Sequence, residues 1–260
     1  MTDHRVLAAA SMLCAAACIT TARADDPPTP PPQHQWIGKG QFGFLDSKGN
    51  SDGESINGNI DMLRYDDAWK NEAYAEGLYG KSAGIISAER WLVREQTDYT
   101  VTAGMFAFGG LRFEHDMFDG FVYQASVTSG IGYKFIDTDN DKLTAQIGPG
   151  FRRLRPETLN RDDGNGAVTS RTPLPAESEV IAAGGIDYLH KFNSITTVTN
   201  KFLVEHGATD TLAHDEIALT VKMSTRLALS VGYAVTDNSN PPTPLKKVDT
   251  VSTVNLVFAF

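Results

Sequence analysis

Residues Phe121–Phe135, FVYQASVTSGIGYKF, alternate between two kinds of side chain. The odd positions carry mostly apolar and aromatic side chains, and the even positions carry small and polar ones. Because successive side chains point to opposite faces of a strand, this period of two predicts a long β-strand. Glycine and serine stand where a globular core would need larger apolar residues. The pattern favours a membrane strand with lipid on one face and a crowded lumen on the other.

The same alternation recurs along the chain and predicts twelve strands. Many of these runs reach 10 to 15 residues. Strands of soluble sandwiches, the competing interpretation, usually have about 5–6 residues, whereas a tilted strand that crosses a bilayer needs about 9–11. Strand length therefore favours a single antiparallel transmembrane β-barrel, and the poor alternation of the fourth strand leaves ten or fourteen strands as alternatives. The predicted strands are 37–46, 54–65, 70–81, 88–99, 103–115, 121–136, 141–155, 178–190, 195–206, 213–223, 226–237 and 247–260.

The predicted connections differ in length according to the strand that they follow. Tight turns follow even-numbered strands, at 66–69, 137–140, 191–194 and 224–225, and longer segments follow odd-numbered ones, at 47–53, 82–87, 156–177 and 238–246. Barrels of the Gram-negative outer membrane have short periplasmic turns and longer outer loops. The sequence therefore predicts this membrane, with the N- and C-termini in the periplasm.

The N-terminus predicts export from the cytoplasm. Residues 1–24 have a positive charge at Arg5, an apolar region and a small-x-small site ending at Ala24, which together indicate a cleaved signal peptide. A lipoprotein signal ending at Cys18 and a buried N-terminal helix are the alternatives. Residues 25–35 contain five prolines and predict a stiff periplasmic leader. The barrel domain then occupies 36–260.

Composition and motifs exclude several classes of function. The chain has 23 Lys and Arg against 32 Asp and Glu, a net charge of −9, which argues against a nucleic-acid partner. Asp137–Asp141 begins like a calcium loop but lacks the later EF-hand ligands, and His206 and His214 fit no compact zinc pattern. We find no nucleophile elbow or phosphate loop. The sequence therefore predicts no metal, no cofactor and no enzymatic activity.

Charged residues of both signs fall on the side of the strands that the alternation turns inward. One interpretation is a lined path for a small charged or zwitterionic solute. The other is a mutually neutralised network that fills a narrow barrel, because buried charges persist when they are paired. The candidate lumen residues are Asp61, Glu76, Arg94, Arg112, Glu114, Lys134, Arg152, Asp187, Glu216 and Lys222.

The end of the chain carries a further pattern. Val254, Leu256, Phe258 and Phe260 share one face of the last predicted strand, and the chain stops at an aromatic residue. This run resembles the C-terminal signal that the barrel assembly machinery recognises in bacterial outer-membrane proteins. The predicted partners are therefore that machinery and outer-membrane lipid.

Several motifs together resemble a family of uncharacterised outer-membrane β-barrel proteins known as salt-induced outer-membrane proteins. The resemblance covers most of 36–260 and rests on Gly49–Ser55, Arg112–Asp116 with Phe118–Phe121, Gly130–Lys134 with Ile136–Asp139, Gly148–Arg152 and Lys247–Phe260. It implies the barrel and its membrane, but no catalytic residues.

The function expected from these observations is a narrow, porin-like passive channel for small solutes or ions. A link to salt or osmotic conditions is implied by the name of the family alone. The alternatives are a closed structural or interaction barrel without transport and, third, a lipid-modifying enzyme.

Overall fold

The computed structural model describes residues 33–48, 53–82, 85–116, 120–161, 168–241 and 245–260. The predicted signal peptide and most of the predicted leader lie outside the described residues, so both stay predictions. All described elements are strands: β1 Trp36–Lys48, β2 Gly53–Asp66, β3 Trp69–Ser82, β4 Ile85–Thr100, β5 Met105–Asp116, β6 Phe121–Asp137, β7 Asp141–Arg161, β8 Val168–Pro173, β9 Glu177–Lys191, β10 Thr196–His206, β11 Thr211–Lys222, β12 Leu227–Asn238 and β13 Val248–Ala259. Among these residues, no helix is long and apolar enough to span a membrane.

Twelve of the strands form a closed antiparallel barrel. Each pairs with its neighbours in chain order, except that β7 pairs with β9, and β1 pairs with β13. The pairing of β6 with β7 completes the ring. The prediction of a single twelve-stranded antiparallel barrel is therefore confirmed.

The thirteenth strand, β8, is a feature that the sequence did not predict. Residues 156–177 were expected to form one long connection. Instead β7 continues to Arg161, and β8 pairs with its last residues in a separate hairpin, with Glu157 opposite Pro173 and Asn160 opposite Ser170. The hairpin extends beyond the barrel wall at the end of β7 opposite the turn 138–140.

The two ends of the barrel differ. At one end, which we call the turn end, the connections 67–68, 101–104, 138–140, 192–195 and 223–226 are short. The tightest of them places Asp67 at a φ of 52°, a conformation that aspartate tolerates better than most residues. The opposite end, the loop end, carries the β7–β8 hairpin, the segment between β12 and β13, and the connection 207–210, which is as short as those of the turn end. The predicted longer segments 47–53 and 82–87 are largely taken up by strands, because β1 reaches Lys48, β2 begins at Gly53, β3 reaches Ser82 and β4 begins at Ile85.

Large apolar side chains predominate on the outer surface of the barrel. Ile131, Val180 and Leu256 are among many large apolar side chains that remain exposed on this face. Aromatic side chains gather near both ends. The ring centroids of Trp69 and Tyr99 lie 4.8 Å apart near the turn end. The ring of Trp91 stacks on that of Phe113 nearer the loop end, with centroids 5.3 Å apart. An apolar belt between two aromatic girdles is the surface that a bilayer requires.

Strands β6 and β7 approach each other unusually closely at Gly130 and Gly148. A side chain at either position would overlap the backbone of the other strand. Pro149, next to this point, has no N–H to contribute to the ladder. The glycines of two motifs that carry the family resemblance therefore allow a local contact between neighbouring strands.

The last residue closes the seam between β1 and β13. The backbone N–H of Phe260 donates to the carbonyl of Gly38 (2.9 Å), and the N–H of Gly38 donates to the carbonyl of Phe260 (2.9 Å). The ring of Phe260 occupies the space that a side chain at Gly38 would need. Val254, Leu256 and Phe258 are exposed on the outer face of β13.

We expect deletion of Phe260 to reduce the amount of folded barrel in cells more strongly than Phe260→Tyr, which keeps an aromatic ring at the C-terminus. The measurement is the heat-modifiable folded band in the membrane fraction. Refolding of the same variants into lipid vesicles separates two causes. Normal refolding of the deletion variant would assign the defect to recognition by the assembly machinery, whereas normal folding in cells would contradict the assembly role of the terminal aromatic residue.

Candidate functional site

Contacts between strands that are not neighbours identify the side chains that enter the lumen. Gln96 on β4 and Gln146 on β7 exchange amide hydrogen bonds of 3.1 and 3.2 Å, although β5 and β6 lie between their strands. Ser126 Oγ on β6 donates to Glu205 Oε1 on β10 (3.3 Å). Such contacts require side chains that cross the interior of the ring. The lumen of this barrel is therefore occupied by polar side chains.

A connected group of charges, which we call the loop-side cluster, fills the lumen toward the loop end. Glu205 is 2% exposed, and its Oε2 lies 3.7 Å from Arg112 Nη1 and 3.8 Å from Arg152 Nη1. Arg90 Nε donates to Glu114 Oε1 (2.8 Å), and Glu114 also binds Arg112. Three arginines thus meet six carboxylates. The members of the cluster are Arg90, Arg112, Arg152, Glu76, Glu114, Asp116, Glu179, Glu205 and Asp210.

The loop-side cluster also holds the connection 207–210 over the mouth of the barrel. Arg152, which is 0% exposed, binds both Glu179 and Asp210. The Glu179 carboxylate accepts hydrogen bonds from the backbone N–H groups of Ala208 (2.9 Å) and Thr209 (3.2 Å). Arg152 and Glu179 therefore help to fix the position of this connection, together with Asn240, whose Nδ2 donates to the carbonyl of Thr209 (3.3 Å).

A second group, the turn-side cluster, crosses the lumen nearer the turn end. Lys201 Nζ on β10 lies 3.6 Å from Glu72 Oε1 on β3, and these two strands stand opposite each other in the ring of twelve. Arg94 Nη2 donates to the same Glu72 oxygen (3.0 Å). The barrel interior is thus narrow enough at this level for one ion pair to span it. The members of the cluster are Lys70, Glu72, Arg94, Asp98 and Lys201.

Some inward-facing charges remain accessible. The Lys201 side chain is 41% exposed. Its two register neighbours, Asp187 on β9 and Glu216 on β11, are also exposed. The charged side chains beside β9, β10 and β11 are therefore accessible inside the ring, whereas Glu114, Arg152 and Glu205 of the loop-side cluster are buried.

The structure brings most of the predicted lumen residues together. Glu76, Arg112, Glu114 and Arg152 belong to the loop-side cluster, and Arg94 belongs to the turn-side cluster. Asp61 Oδ2 lies 3.2 Å from Lys39 Nζ on the wall formed by β1 and β2. Asp187 and Glu216 flank Lys201, as described above.

Two predicted residues lie apart from these groups. Lys134 lies near the turn end, with its Nζ 3.8 Å from Asp137 Oδ2. Lys222 is the exposed last residue of β11. These two side chains stand at the rim of the lumen and do not join either cluster.

Several charges of the lumen were not among the predicted residues. Glu72 and Arg90 have the same parity as Glu76 and Arg94 on their strands, so the alternation would have found them. Glu205 is harder to find, because Leu203 interrupts the polar face of β10. Nothing in the sequence alone places Glu205 between Arg112 and Arg152.

The residues considered for metal binding, Asp137–Asp141, His206 and His214, occupy other positions. His190 Nδ1 lies 2.7 Å from Asp141 Oδ1 at the turn end. His206 Nδ1 is 2.7 Å from the Thr211 hydroxyl, and His214 Nδ1 is 3.0 Å from the Thr236 hydroxyl. Within the described ranges, no group of three or more His, Cys, Asp or Glu side chains is arranged to hold a metal ion. The absence of enzymatic activity stays a prediction.

The family model described as "Protein of unknown function, DUF481" matches residues 40–260. The chain belongs to this family. Membership agrees with the resemblance to a family of uncharacterised proteins, whereas salt induction stays a prediction.

Comparison with individual proteins agrees with the barrel fold. A protein of Escherichia coli (strain K12) named uncharacterized protein YdiY is 23% identical over 205 residues, which cover 77% of this chain and 73% of that protein. The crystal structure of an outer membrane channel from Pseudomonas putida F1 has a TM-score of 0.52 at 9% identity, with 93% of this chain and 100% of that chain covered. At this identity the likeness shows the fold alone.

Proposed function

We propose that the protein is a narrow passive channel for small ions or solutes in the outer membrane of a Gram-negative bacterium. The observation that carries the proposal is the lumen itself, in which accessible inward-facing charges lead to a constriction of paired charges. Accessible charges beside Lys201 offer polar contacts to an entering ion, and the excess of carboxylates in the loop-side cluster favours cations. A ring of twelve strands lies between the filled eight-stranded barrels and the open sixteen-stranded porins.

The location and orientation are part of the same proposal. The apolar outer belt with its aromatic girdles supports insertion into a bilayer, and the short connections support a periplasmic turn end. Both ends of the barrel domain, Trp36 and Phe260, would then face the periplasm. The proposal includes a link to salt or osmotic conditions, and this part rests only on the resemblance of the sequence.

A closed structural or interaction barrel is the second candidate function. The observation in its favour is that Glu72 and Lys201 bridge opposite walls while Arg152 and Glu205 are buried. Paired charges of this kind can fill a narrow barrel without leaving a path. The two candidates differ in whether the folded barrel conducts.

Conductance across planar bilayers tests the proposal. Purified barrel whose folded state is verified by heat modifiability is expected to produce small discrete current steps, with a reversal potential that indicates cation preference in a KCl gradient. The same amount of heat-unfolded protein serves as the control for leak currents. A folded sample that inserts but produces no steps would favour the closed barrel, and hydrolysis of phospholipid by that sample would favour the enzyme instead.

A further inference from the structure

The inner wall formed by β13, β1 and β2 carries unpaired oxygens. Asn57, Asn59 and Asp61 stand at alternate positions of β2, and the Oδ1 atom of each is buried and makes no hydrogen bond. Asn255 Oδ1 on β13 is a fourth such atom. Asp61 and Asn255 are each only 6% exposed. Buried polar atoms without partners are costly, so a group of four on one wall needs an explanation.

We call these four oxygens the oxygen ladder. The strand register places Asn255 across β1 from Asn57, and Asn59 and Asp61 follow Asn57 at alternate positions of β2. Gly43 on β1 lies opposite Asn255 on one side and opposite Asn57 on the other. Because Gly43 has no side chain, Asn255 Oδ1 occupies the space where a Cβ of residue 43 would lie, over β1 and toward Asn57. Asn59 and Asp61 continue the ladder along β2 toward the turn end. The glycine thus leaves room on the inner face of β1 for the Asn255 side chain, between β13 and β2.

The chemistry of the ladder selects its ligand. All four atoms are acceptors, so they suit a cation or a hydrogen-bond donor. They are buried from water, and a hydroxyl group of a sugar is no smaller than water, so a polyol is disfavoured. The only carboxylate among them, Asp61, is already 3.2 Å from Lys39 Nζ through its other oxygen. Calcium sites usually combine 6–8 oxygens that include several carboxylates, which this wall does not provide.

We propose that the oxygen ladder binds a small dehydrated monovalent cation and, because its oxygens have almost no surface open to a molecule as large as water, the smaller sodium ion in preference to potassium. Amide and carboxylate oxygens replace the hydration shell of such an ion, as carbonyl oxygens do in selectivity filters. Binding requires only the folded barrel. A contribution of the ladder to ion passage, in contrast, rests on the proposed channel function.

The test uses the full barrel folded in detergent micelles. Line broadening of the ²³Na resonance by the protein reports sodium binding, and the unfolding temperature in NaCl, KCl and choline chloride at equal ionic strength reports selectivity. We expect sodium broadening with the wild type, and an unfolding temperature that is highest in NaCl. Asp61→Asn keeps the shape of the side chain and is expected to remove most of the broadening. Asn255→Ala, which disturbs no ion pair, provides a second variant should Asp61→Asn fold poorly.

Matched controls lie on the outer face of β10 and β11. Asn200 Nδ2 donates to Asp215 Oδ1 (2.6 Å), and Phe202, the register partner of Asp215, is on the outer face of β10. Asp215→Asn and Asn200→Ala therefore make the same chemical changes outside the lumen and are expected to leave sodium broadening unchanged.

The outcomes separate the ladder from the channel. Broadening that survives in both Asp61→Asn and Asn255→Ala, or equal unfolding temperatures in NaCl and choline chloride, would overturn the ladder. Equal unfolding temperatures in NaCl and KCl would contradict the preference of the ladder for sodium. Sodium binding without current steps would support the ladder and contradict the channel function. Current steps without sodium binding would support the channel function and contradict the ladder.

Discussion

Replacement of Arg152 by leucine is expected to lower the free energy of unfolding by about 3–5 kcal/mol, the usual cost of removing one partner from a buried ionic network. Arg152 is 0% exposed and is the shared partner of Glu179, Asp210 and Glu205. Its loss leaves these carboxylates close together without the cation between them. The measurement is a urea titration of barrel folded into lipid vesicles, monitored by tryptophan fluorescence.

The same substitution is expected to increase conductance. Without Arg152, repulsion between Glu179 and Asp210 favours displacement of the connection 207–210 from the mouth of the barrel. Single-channel recording of Arg152→Leu should therefore show larger steps than the wild type. Arg153→Leu removes the same charge from the exposed neighbouring position and is the matched control. If both leucine variants had the same stability and the same conductance as the wild type, the loop-side cluster would not be the constriction.

A double-mutant cycle tests how much of the loss of stability comes from the contact between Arg152 and Glu179. Glu179→Leu removes the acceptor for the backbone of Ala208 and Thr209 together with one partner of Arg152. Because Arg152 and Glu179 belong to one network, we expect their double variant to be less destabilised than the sum of the single variants. Additive losses would mean that Arg152 acts mainly through Asp210 and Glu205.

The barrel could be predicted from the sequence because its strands are long and have two different surroundings. Alternation persists over the whole of β6, and turn residues such as Asp67 interrupt it at the right places, so predicted and observed strand ends differ by few residues. The β7–β8 hairpin was not predicted, because these two surroundings do not act on it. It extends beyond the barrel wall, where no contrast between lipid and lumen imposes a period of two on the sequence.

The site could be predicted only in part. Alternation tells which side chains face inward, and this placed Arg112, Glu114 and Arg152 on the lumen side. It does not tell which side chains meet across the lumen, because that depends on the tilt and stagger of strands far apart in the chain. The approach of Glu205 to Arg112, between β10 and β5, is set by this geometry of the whole ring.

The second large effect is expected from a charge on the outer face. Ile131 is 59% exposed on the outer face of β6 and pairs in register with Ala107 on β5 and Ile147 on β7. An arginine in hydrocarbon costs about 2–4 kcal/mol at the midplane of a bilayer and less toward the interfaces, so Ile131→Arg should lower the free energy of unfolding in vesicles by up to this amount. Ile131→Ala, which removes the same apolar side chain without adding a charge, is expected to cost clearly less.

Comparison of Ile131→Arg with Lys134→Gln tests which side chains of β6 face outward and which face the lumen. Lys134 lies on the other face of β6 near the turn end, and its ion pair with Asp137 is accessible to solvent. Exposed ion pairs contribute about 0–1 kcal/mol, so Lys134→Gln should be nearly neutral in the same titration. If Lys134→Gln were costly while Ile131→Arg folded as well as the wild type, the two faces of β6 would be exchanged. If Ile131→Arg and Ile131→Ala were equally destabilised, the loss would come from packing between neighbouring strands and not from a charge in lipid.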